Sequence, residues 1–170
     1  MRLGFLAVEG QRQVAAAARV FAGERGRQRD ALVGGAEQQV EADAGRLHRV
    51  GVAGRQSGQR IAAPTIMYHG VKAWMLRQQA MRNVGIDLFD AADPASLARA
   101  IIPGKTAIVW IETPVNPTWD VIDIRAAADA AHAAGAILVV DSTCAPPAIS
   151  KPLSLGADIV FHSATKYLNG

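Results

Sequence analysis

Three apolar segments in the second half of the chain constrain its fold more than any other feature. They are TAIVWIE (106–112), AILVVD (136–141) and ADIVFHS (157–163), and each is nearly continuous in apolar residues. Strands of this kind are buried on both faces, as in parallel sheets covered by helices. Shorter apolar segments at 61–68 and 86–89 are predicted as strands as well. Because helical segments alternate with these strands, residues 61–170 predict an α/β fold with a mostly parallel sheet and flanking helices.

Three segments are predicted to be helices, and two of them begin at a capping residue. The first, residues 71–83, carries apolar residues spaced mainly for one helical face, namely Val71, Trp74, Met75 and Met81. Asp93, followed by Pro94, is a typical start for the helix PASLARAII. Asp123 is expected to cap IRAAADAAHAA, and Gly135 stands where a helix of this length should end.

Residues 1–60 differ in composition from the rest of the chain. They hold ten of the 16 glycines and seven glutamines, yet no Pro, Ile, Thr or Asn, although an average soluble segment contains all four. Only QVAAAARVFA, with Val14, Ala18 and Phe21 at helical spacing, predicts a short helix, and no strand is predicted before residue 61. Two interpretations stay open for this segment: out-of-frame translation in place of the native sequence, or a genuine flexible, Arg-rich extension.

The positive charge of the chain comes from this first segment. Residues 1–60 carry ten arginines against six acidic residues, whereas residues 61–170 balance at −1 and the whole chain at +3. A basic arm can bind nucleic acid, but this one lacks Lys, Tyr and Trp, so no nucleic-acid partner is predicted. No apolar run approaches the roughly 18–20 residues that span a bilayer, and Glu9 interrupts the apolar start too early for a signal peptide. The single Cys144 cannot form an internal disulfide, so we expect a cytoplasmic protein without a membrane partner.

Polar side chains follow the C-terminal ends of three predicted strands, at Glu112, Asp141 and Ser163. Ligands of open α/β sheets bind at that edge. Asp141 is either a functional carboxylate, which needs a cation or hydrogen-bond donors when buried, or a turn residue. Two interpretations are open for the turn after the last strand. The hydroxyls of Ser163 and Thr165 converge with Lys166 on a phosphate, or Lys166 is an ordinary solvated lysine that closes the turn. Together the two sites suit pyridoxal phosphate, because a lysine can bind it covalently and a carboxylate can keep its pyridine nitrogen protonated.

The run ETPVNPTWDVIDI…AILVVDSTCAPP…KPLSLGADIVFHSATKYLNG resembles the Cys/Met-metabolism, or transsulfuration, family of pyridoxal-phosphate enzymes. That family includes cystathionine γ-synthase, the cystathionine lyases, methionine γ-lyase and the homoserine-ester sulfhydrylases. The resemblance extends from about Gly58 to Gly170, with none before it. It implies part of the large domain of the fold-type I, aspartate aminotransferase-like enzymes, and a small amino-acid substrate that loses or exchanges a substituent at Cγ or Cβ. It also implies a homo-oligomer, the state of intact relatives.

The resemblance further implies roles for single residues. Lys166 corresponds to the Schiff-base lysine and Asp141 to the partner of the pyridine nitrogen, while Ser163 and Thr165 correspond to the phosphate-binding hydroxyls. Two more residues complete the set: Asn116, beside the cofactor's phenolic oxygen, and Tyr68, which stacks on the ring and can relay protons. No catalytic role is expected for the histidines or the cysteine. We expect His69 and His162 to lie beside the site, Cys144 to pack in the interior, and His132 to be exposed or to cap its helix. No metal-ligand spacing surrounds Cys144.

Residues 61–170 correspond to only part of a cofactor-binding domain in this family. Residues 1–57 contain no Ser-Gly-Met or Ser-Gly-Leu turn. By the resemblance, the C-terminal domain with the arginine that grips the substrate carboxylate is expected to lie outside these 170 residues. We therefore expect a fragment with little or no turnover, because substrate positioning supplies much of catalysis. The alternative is a non-catalytic cofactor-binding remnant or a pseudogene product.

Overall fold

The computed structural model describes residues 38–42 and 58–168 of the chain. They form a six-stranded sheet in the order β1-β6-β5-β4-β2-β3. Its strands are β1 (Gln38–Ala42), β2 (Arg60–Pro64), β3 (Gly85–Phe89), β4 (Thr106–Glu112), β5 (Ile137–Asp141) and β6 (Ile159–Ser163). The helices are α1 (His69–Arg82), α2 (Pro94–Ala100), α3 (Ile124–Ala133), a 3₁₀ turn at Pro152–Leu155 and a π-type turn at Ala164–Leu168. The predicted α/β fold with a mostly parallel sheet and flanking helices is confirmed.

The register of the sheet aligns the ends of its central strands. Strands β2 to β6 run parallel to one another, and Glu112 of β4 lies opposite Asp141 of β5. Asp141 in turn lies opposite Phe161 of β6, two residues before the strand ends at Ser163. The polar residues that follow the strands therefore meet at one edge, as expected for parallel strands.

Alternate residues of the strands are buried against helices on opposite faces of the sheet. One face packs under α2 and α3, and its strand residues include Ala62, Val109, Ile111, Leu138, Val140 and Val160. The other face packs under α1, and its strand residues include Ile61, Ala63, Trp110, Val139 and Ile159. Because side chains of a strand point alternately to the two faces, only a continuous apolar run can fill both layers.

The helix caps follow the prediction, whereas one core position does not. The Asp93 side chain accepts a hydrogen bond from the Ala95 N–H, and the Asp123 side chain accepts one from the Ala126 N–H. In α1, Val71 and Met75 are buried and Trp74 packs against them, but the Met81 side chain is 74% exposed. The prediction that Met81 shares the apolar face was wrong because it lies on the last turn, six residues beyond Met75.

Helix α2 ends two residues before its predicted end. Ile101 is extended and buried in the core, and the Ile102 N–H donates to the Thr106 hydroxyl at 2.8 Å. This side-chain acceptor offers the backbone an alternative to another helical hydrogen bond.

Strand β1 corrects the expectation that no strand precedes residue 61. Gln38–Ala42 pairs antiparallel with β6, with Gln38 opposite Ser163 and Ala42 opposite Ile159. The segment QQVEA has little apolar content, so its pairing depends on backbone hydrogen bonds to an available sheet edge rather than on strand propensity. The predicted helix at 13–22 lies outside the described residues. Within the described part of the chain, no helix has the length and apolar character to cross a membrane.

His132 and Asp158 join α3 to the start of β6. The Asp158 carboxylate is fully buried, and its Oδ2 accepts the Leu138 N–H at 2.7 Å and lies 2.8 Å from His132 Nε2. His132 was expected to be exposed or to cap its helix, but it is half-buried in this pair. Asp158 Oδ1 has no partner among the described residues, so the carboxylate depends on these two donors.

Replacing Asp158 should destabilise the fold strongly. Asp158→Ala leaves the buried Leu138 N–H without an acceptor, so we expect the free energy of unfolding to fall by about 2–4 kcal/mol. Asp158→Asn keeps an acceptor for Leu138 and should cost less. Urea denaturation of both variants measures the difference, with Asp129→Asn on the exposed face of α3 as a control within about 0.5 kcal/mol of wild type. Equal stability of Asp158→Ala and the control would contradict the role of this carboxylate.

Candidate functional site

The candidate site lies at the carboxyl edge of the parallel strands. Glu112 and Asp141 end neighbouring strands in register, and Ser163 ends the next strand. Tyr68 forms the N-cap position of α1 after β2, and Asn116 lies in the loop after β4. The sheet therefore brings segments that are far apart in sequence to one edge.

Asp141 is a buried carboxylate, and no cationic side chain among the described residues forms an ion pair with it. The residue is only 4% exposed. Its Oδ1 accepts hydrogen bonds from the Thr143 N–H at 3.0 Å and from the Thr143 hydroxyl at 2.6 Å. Burial, together with repulsion from the Glu112 carboxylate, raises the pKa of Asp141 to about 7, although the Thr143 hydrogen bonds act to lower it. Both hydrogen bonds go to Oδ1, and no described residue donates to Oδ2.

Thr143 joins the ends of β5 and β6, a role that the sequence analysis missed. Its hydroxyl donates to Asp141 Oδ1 and accepts the Ser163 N–H at 2.9 Å. A hydroxyl two residues after an Asp commonly forms such a local turn, so the first contact was open to prediction from DSTC. The second contact, to a residue 20 positions away, depends on the fold.

Glu112 holds two loops of the site through backbone amides. Its Oε2 accepts the Tyr68 N–H at 2.7 Å, and its Oε1 accepts the Asn116 N–H at 3.0 Å. Burial raises the pKa of Glu112, while these two hydrogen bonds act to lower it. The sequence analysis predicted Glu112 at this edge but assigned it no role.

The loop that carries Asn116 is fixed by its own hydrogen bonds. The Thr113 hydroxyl accepts the Ile122 N–H at 3.0 Å, and the Val115 N–H donates to the Asp120 carbonyl at 2.9 Å. Val115 is fully buried in the core cluster. These contacts anchor both ends of the loop, so Asn116 lies at a defined position above the sheet edge.

Tyr68 presents a partly exposed ring on the other side of Glu112. The side chain is 36% exposed, and its ring lies 4.6 Å from the ring of His69 at an angle of 54°. Because the Tyr68 N–H is tied to Glu112, the backbone of this residue is fixed while its ring remains accessible. An accessible ring at a sheet edge is available to stack on a planar ligand.

Ser163, Thr165 and Lys166 form a polar turn directly after β6. Ser163 Oγ lies 3.1 Å from Thr165 Oγ1, and Thr165 and Lys166 are exposed. Lys166 has φ −103° and ψ −132°, which interrupts the helical turn around it. The turn therefore presents two adjacent hydroxyls and an ammonium group together, a combination suited to an anion.

Cys144 lies among the charged groups of the site. Burial first, and then the carboxylates of Glu112 and Asp141, raise the pKa of its thiol, while the Lys166 ammonium acts to lower it. One half-buried thiol is thus within electrostatic range of both carboxylates and the lysine. Beneath it, the buried His162 donates from Nδ1 to the Ser142 carbonyl at 3.0 Å. The Cys144 thiol, which was expected only to pack, therefore lies within electrostatic range of both Asp141 and Lys166.

The model of the family described as Cys/Met metabolism PLP-dependent enzymes matches residues 44–170 of the chain. The chain belongs to this family. The expected family and its pyridoxal-phosphate cofactor are thereby confirmed. The resemblance was expected to begin near Gly58, and the match instead begins at residue 44, inside the segment of unusual composition.

Similar proteins have related names. The chain is 43% identical over 115 residues to a cystathionine γ-lyase of Dictyostelium discoideum, covering 68% of this chain and 30% of that protein. It is 41% identical over 116 residues to an L-methionine γ-lyase of Porphyromonas gingivalis, covering 68% and 29%. The crystal structure of a cystathionine γ-synthase from Xanthomonas oryzae in complex with cystathionine matches with a TM-score of 0.64 and 37% identity, covering 81% and 35%. The matched part is thus about a third of these relatives' length.

The side chains at the sheet edge fit the family's cofactor. Asp141 Oδ2 has no donor among the described residues, so a protonated ring nitrogen would supply the partner that this buried carboxylate lacks. The paired hydroxyls of Ser163 and Thr165 suit a phosphate, and the exposed Lys166 beside them suits a covalent bond to an aldehyde. These side chains therefore suit the ring nitrogen, the phosphate and the aldehyde of pyridoxal phosphate.

The stability of the ligand-free chain should depend on the ionisation of Asp141. Its pKa of about 7 lies above the ordinary 3.8, so the folded state keeps a proton that the unfolded state loses between these values. Stability is then fully present below pH ~4 and decreases as the pH rises through about 7. Asp141→Asn removes this ionisation and should be more stable than wild type by on the order of 4 kcal/mol above pH ~7.

Urea denaturation between pH 4.5 and 8.5 tests this expectation. The difference in unfolding free energy between Asp141→Asn and wild type should grow with pH, whereas Asp129→Asn, which removes an exposed carboxylate, should differ from wild type by a constant amount. Parallel curves for wild type and Asp141→Asn would contradict the raised pKa.

Proposed function

We propose that this chain binds pyridoxal phosphate at the carboxyl edge of its sheet, as part of an enzyme that acts on carbon–sulfur bonds of amino acids. The observation that carries the proposal is the buried Asp141 beside the turn of Ser163, Thr165 and Lys166. A carboxylate with an unpaired oxygen and an anion-binding turn with a lysine are both present at neighbouring strand ends. Family membership supports the same cofactor.

Each side chain would hold a different part of the cofactor. Lys166 would bind the aldehyde carbon through Nζ, Asp141 would hold the ring nitrogen in its protonated form, and the hydroxyls of Ser163 and Thr165 would bind the phosphate. When bound, the cofactor supplies an electron-withdrawing ring that stabilises negative charge at the substrate Cα. Tyr68 would cover the ring and Asn116 would lie beside the phenolic oxygen, since Glu112 orients both segments toward the edge.

The polypeptide itself would control protons at three positions. Asp141 is buried and accepts hydrogen bonds from Thr143. It would keep a proton on the ring nitrogen, because the positive nitrogen would offset the free-energy cost of burying the negative carboxylate. The Lys166 amine would be the base that takes the proton from the substrate Cα. The Tyr68 hydroxyl would exchange a proton with the departing group.

The names of similar proteins support a sulfur-containing amino acid as the substrate. The relatives include γ-lyases for cystathionine and for methionine, and a synthase solved with cystathionine. Elimination or replacement at Cγ or Cβ is the proposed outcome in the intact enzyme. A cytoplasmic location, homo-oligomer formation and low turnover by these 170 residues alone stay predictions. A non-catalytic cofactor-binding protein is the alternative that the same site would allow.

Loading the purified chain with pyridoxal phosphate tests the role of Lys166. We expect an absorption band at the edge of the visible range, and borohydride treatment should fix the cofactor's mass on the peptide that contains Lys166. Lys166→Ala should lose both, because Nζ is the only atom proposed to bond to the aldehyde.

Lys105→Ala is the matched control, since Lys105 is exposed at the opposite end of β4. It should keep the band and the labelled peptide. Labelling spread equally over several lysines, or a band that survives in Lys166→Ala, would overturn the proposed site. A band without γ-elimination of cystathionine or methionine would favour the non-catalytic alternative.

The hydroxyls of Ser163 and Thr165 should contribute to cofactor affinity only through the phosphate group. Ser163→Ala and Thr165→Val each remove one donor to a charged acceptor, so the Kd for pyridoxal phosphate should rise about tenfold for each. The Kd for pyridoxal, which has no phosphate, should stay within about twofold of wild type. Absorbance titrations with both ligands separate the two effects, and equal losses for both ligands would place the phosphate elsewhere.

A further inference from the structure

Two buried carboxylates lie at the site, Asp141 and Glu112. The proposed cofactor contacts use Asp141 but not Glu112. Glu112 is 5% exposed at the end of β4, in register with Asp141. Both of its oxygens face backbone N–H groups, one on each of two loops. A carboxylate that accepts two backbone donors 44 and 4 residues away from it in sequence is placed to hold those segments together.

We propose that Glu112 is a positioning residue that fixes the Tyr68 turn and the Asn116 loop against the sheet edge beside Asp141. The proposal rests on the proposed function insofar as Tyr68 and Asn116 contact the cofactor. Its geometric part, the two hydrogen bonds, can be tested without any ligand.

The geometry makes Glu112 difficult to replace. A neutral Gln has one carbonyl oxygen, so it can accept only one of the two N–H groups, and its amide would place a donor against the other. A shorter or apolar side chain would leave two N–H groups near the sheet edge without acceptors. The Tyr68 ring is accessible, and the backbone that carries it is held on both sides: its N–H donates to Glu112, and its carbonyl accepts the N–H groups of Val71 and Lys72. Glu112 is the contact that ties this turn to the sheet edge.

The charge of Glu112 adds a second effect at the same edge. Asp141 lies within electrostatic range of Glu112, and the Cys144 thiol lies within range of Glu112, Asp141 and Lys166. Repulsion from Glu112 contributes, after burial, to the raised pKa of Asp141. Two adjacent carboxylates therefore favour a ligand that brings positive charge to Asp141.

Hydrogen exchange of backbone amides tests the positioning role in the ligand-free chain. In Glu112→Ala the amides of Tyr68 and Asn116 should exchange about tenfold faster or more, because both lose a buried acceptor. In Glu112→Gln at least one of the two should do so. The Ala126 amide, which is held by Asp123 at the start of α3, serves as the internal reference, and Asp129→Asn is the control for charge removal.

Glu112→Gln keeps the shape of the side chain, so it remains informative where Glu112→Ala fails to fold. Unchanged exchange of both amides in Glu112→Gln would overturn the proposal.

Binding of pyridoxal phosphate gives a readout that a purely structural role would leave unchanged. In Glu112→Gln the Kd should rise about tenfold, and the pH midpoint of binding should move down because Asp141 ionises more readily without the neighbouring charge. An unchanged midpoint would overturn the electrostatic part.

If the wild-type chain takes up no pyridoxal phosphate while the exchange result holds, the proposed function fails and the positioning role stands. If wild type binds and neither exchange nor binding changes in Glu112→Gln, the positioning role fails and the function stands.

Discussion

Two carboxylates buried side by side determine the character of this sheet edge. Glu112 and Asp141 are in register on neighbouring parallel strands, and among the described residues neither has a cationic hydrogen-bond partner. Buried charge without a counter-charge is tolerated only where hydrogen-bond donors face it. The donors here come from loops: the amides of Tyr68 and Asn116 for Glu112, and Thr143 for Asp141. The loop positions and the carboxylates therefore depend on each other.

The sheet makes this arrangement possible because it is apolar on both faces. Its strand residues fill one core under α1 and another under α2 and α3, so in the central strands β4 and β5 polar side chains stand only at the strand ends. The strands are also parallel, which places all those ends on the same edge. Opposite the edge, the buried Asp158 fixes α3 and β5 through donors of its own. The two apolar cores and Asp158 thus stabilise the sheet, and the side chains at its carboxyl edge are available to bind a ligand.

Much of this was predictable from local patterns, and the rest was not for physical reasons. The apolar runs, the Asp93 and Asp123 caps and the polar residues at strand ends are properties of a few adjacent residues. The role of Glu112 depends on an amide 44 positions away, and the Thr143 bridge depends on one 20 positions away. Strand β1 forms from a weakly apolar segment because β6 offers it an edge, which no local pattern encodes. The proposed roles of Tyr68 and Asn116 came from the family resemblance rather than from spacing.

The charge distribution along the edge also limits what can bind there. The carboxylates lie on β4 and β5, whereas the hydroxyl pair and the lysine follow β6. A ligand that is cationic at one end and anionic at the other would satisfy both halves, while a simple anion would meet repulsion from Glu112 and Asp141. Because Asp141 with a pKa of about 7 is close to half-ionised at neutral pH, a protonated ring nitrogen would both pair with it and favour its ionised form. Ligand binding and the charge state of the edge are therefore coupled, and this coupling favours a ligand that carries both a positive and a negative charge.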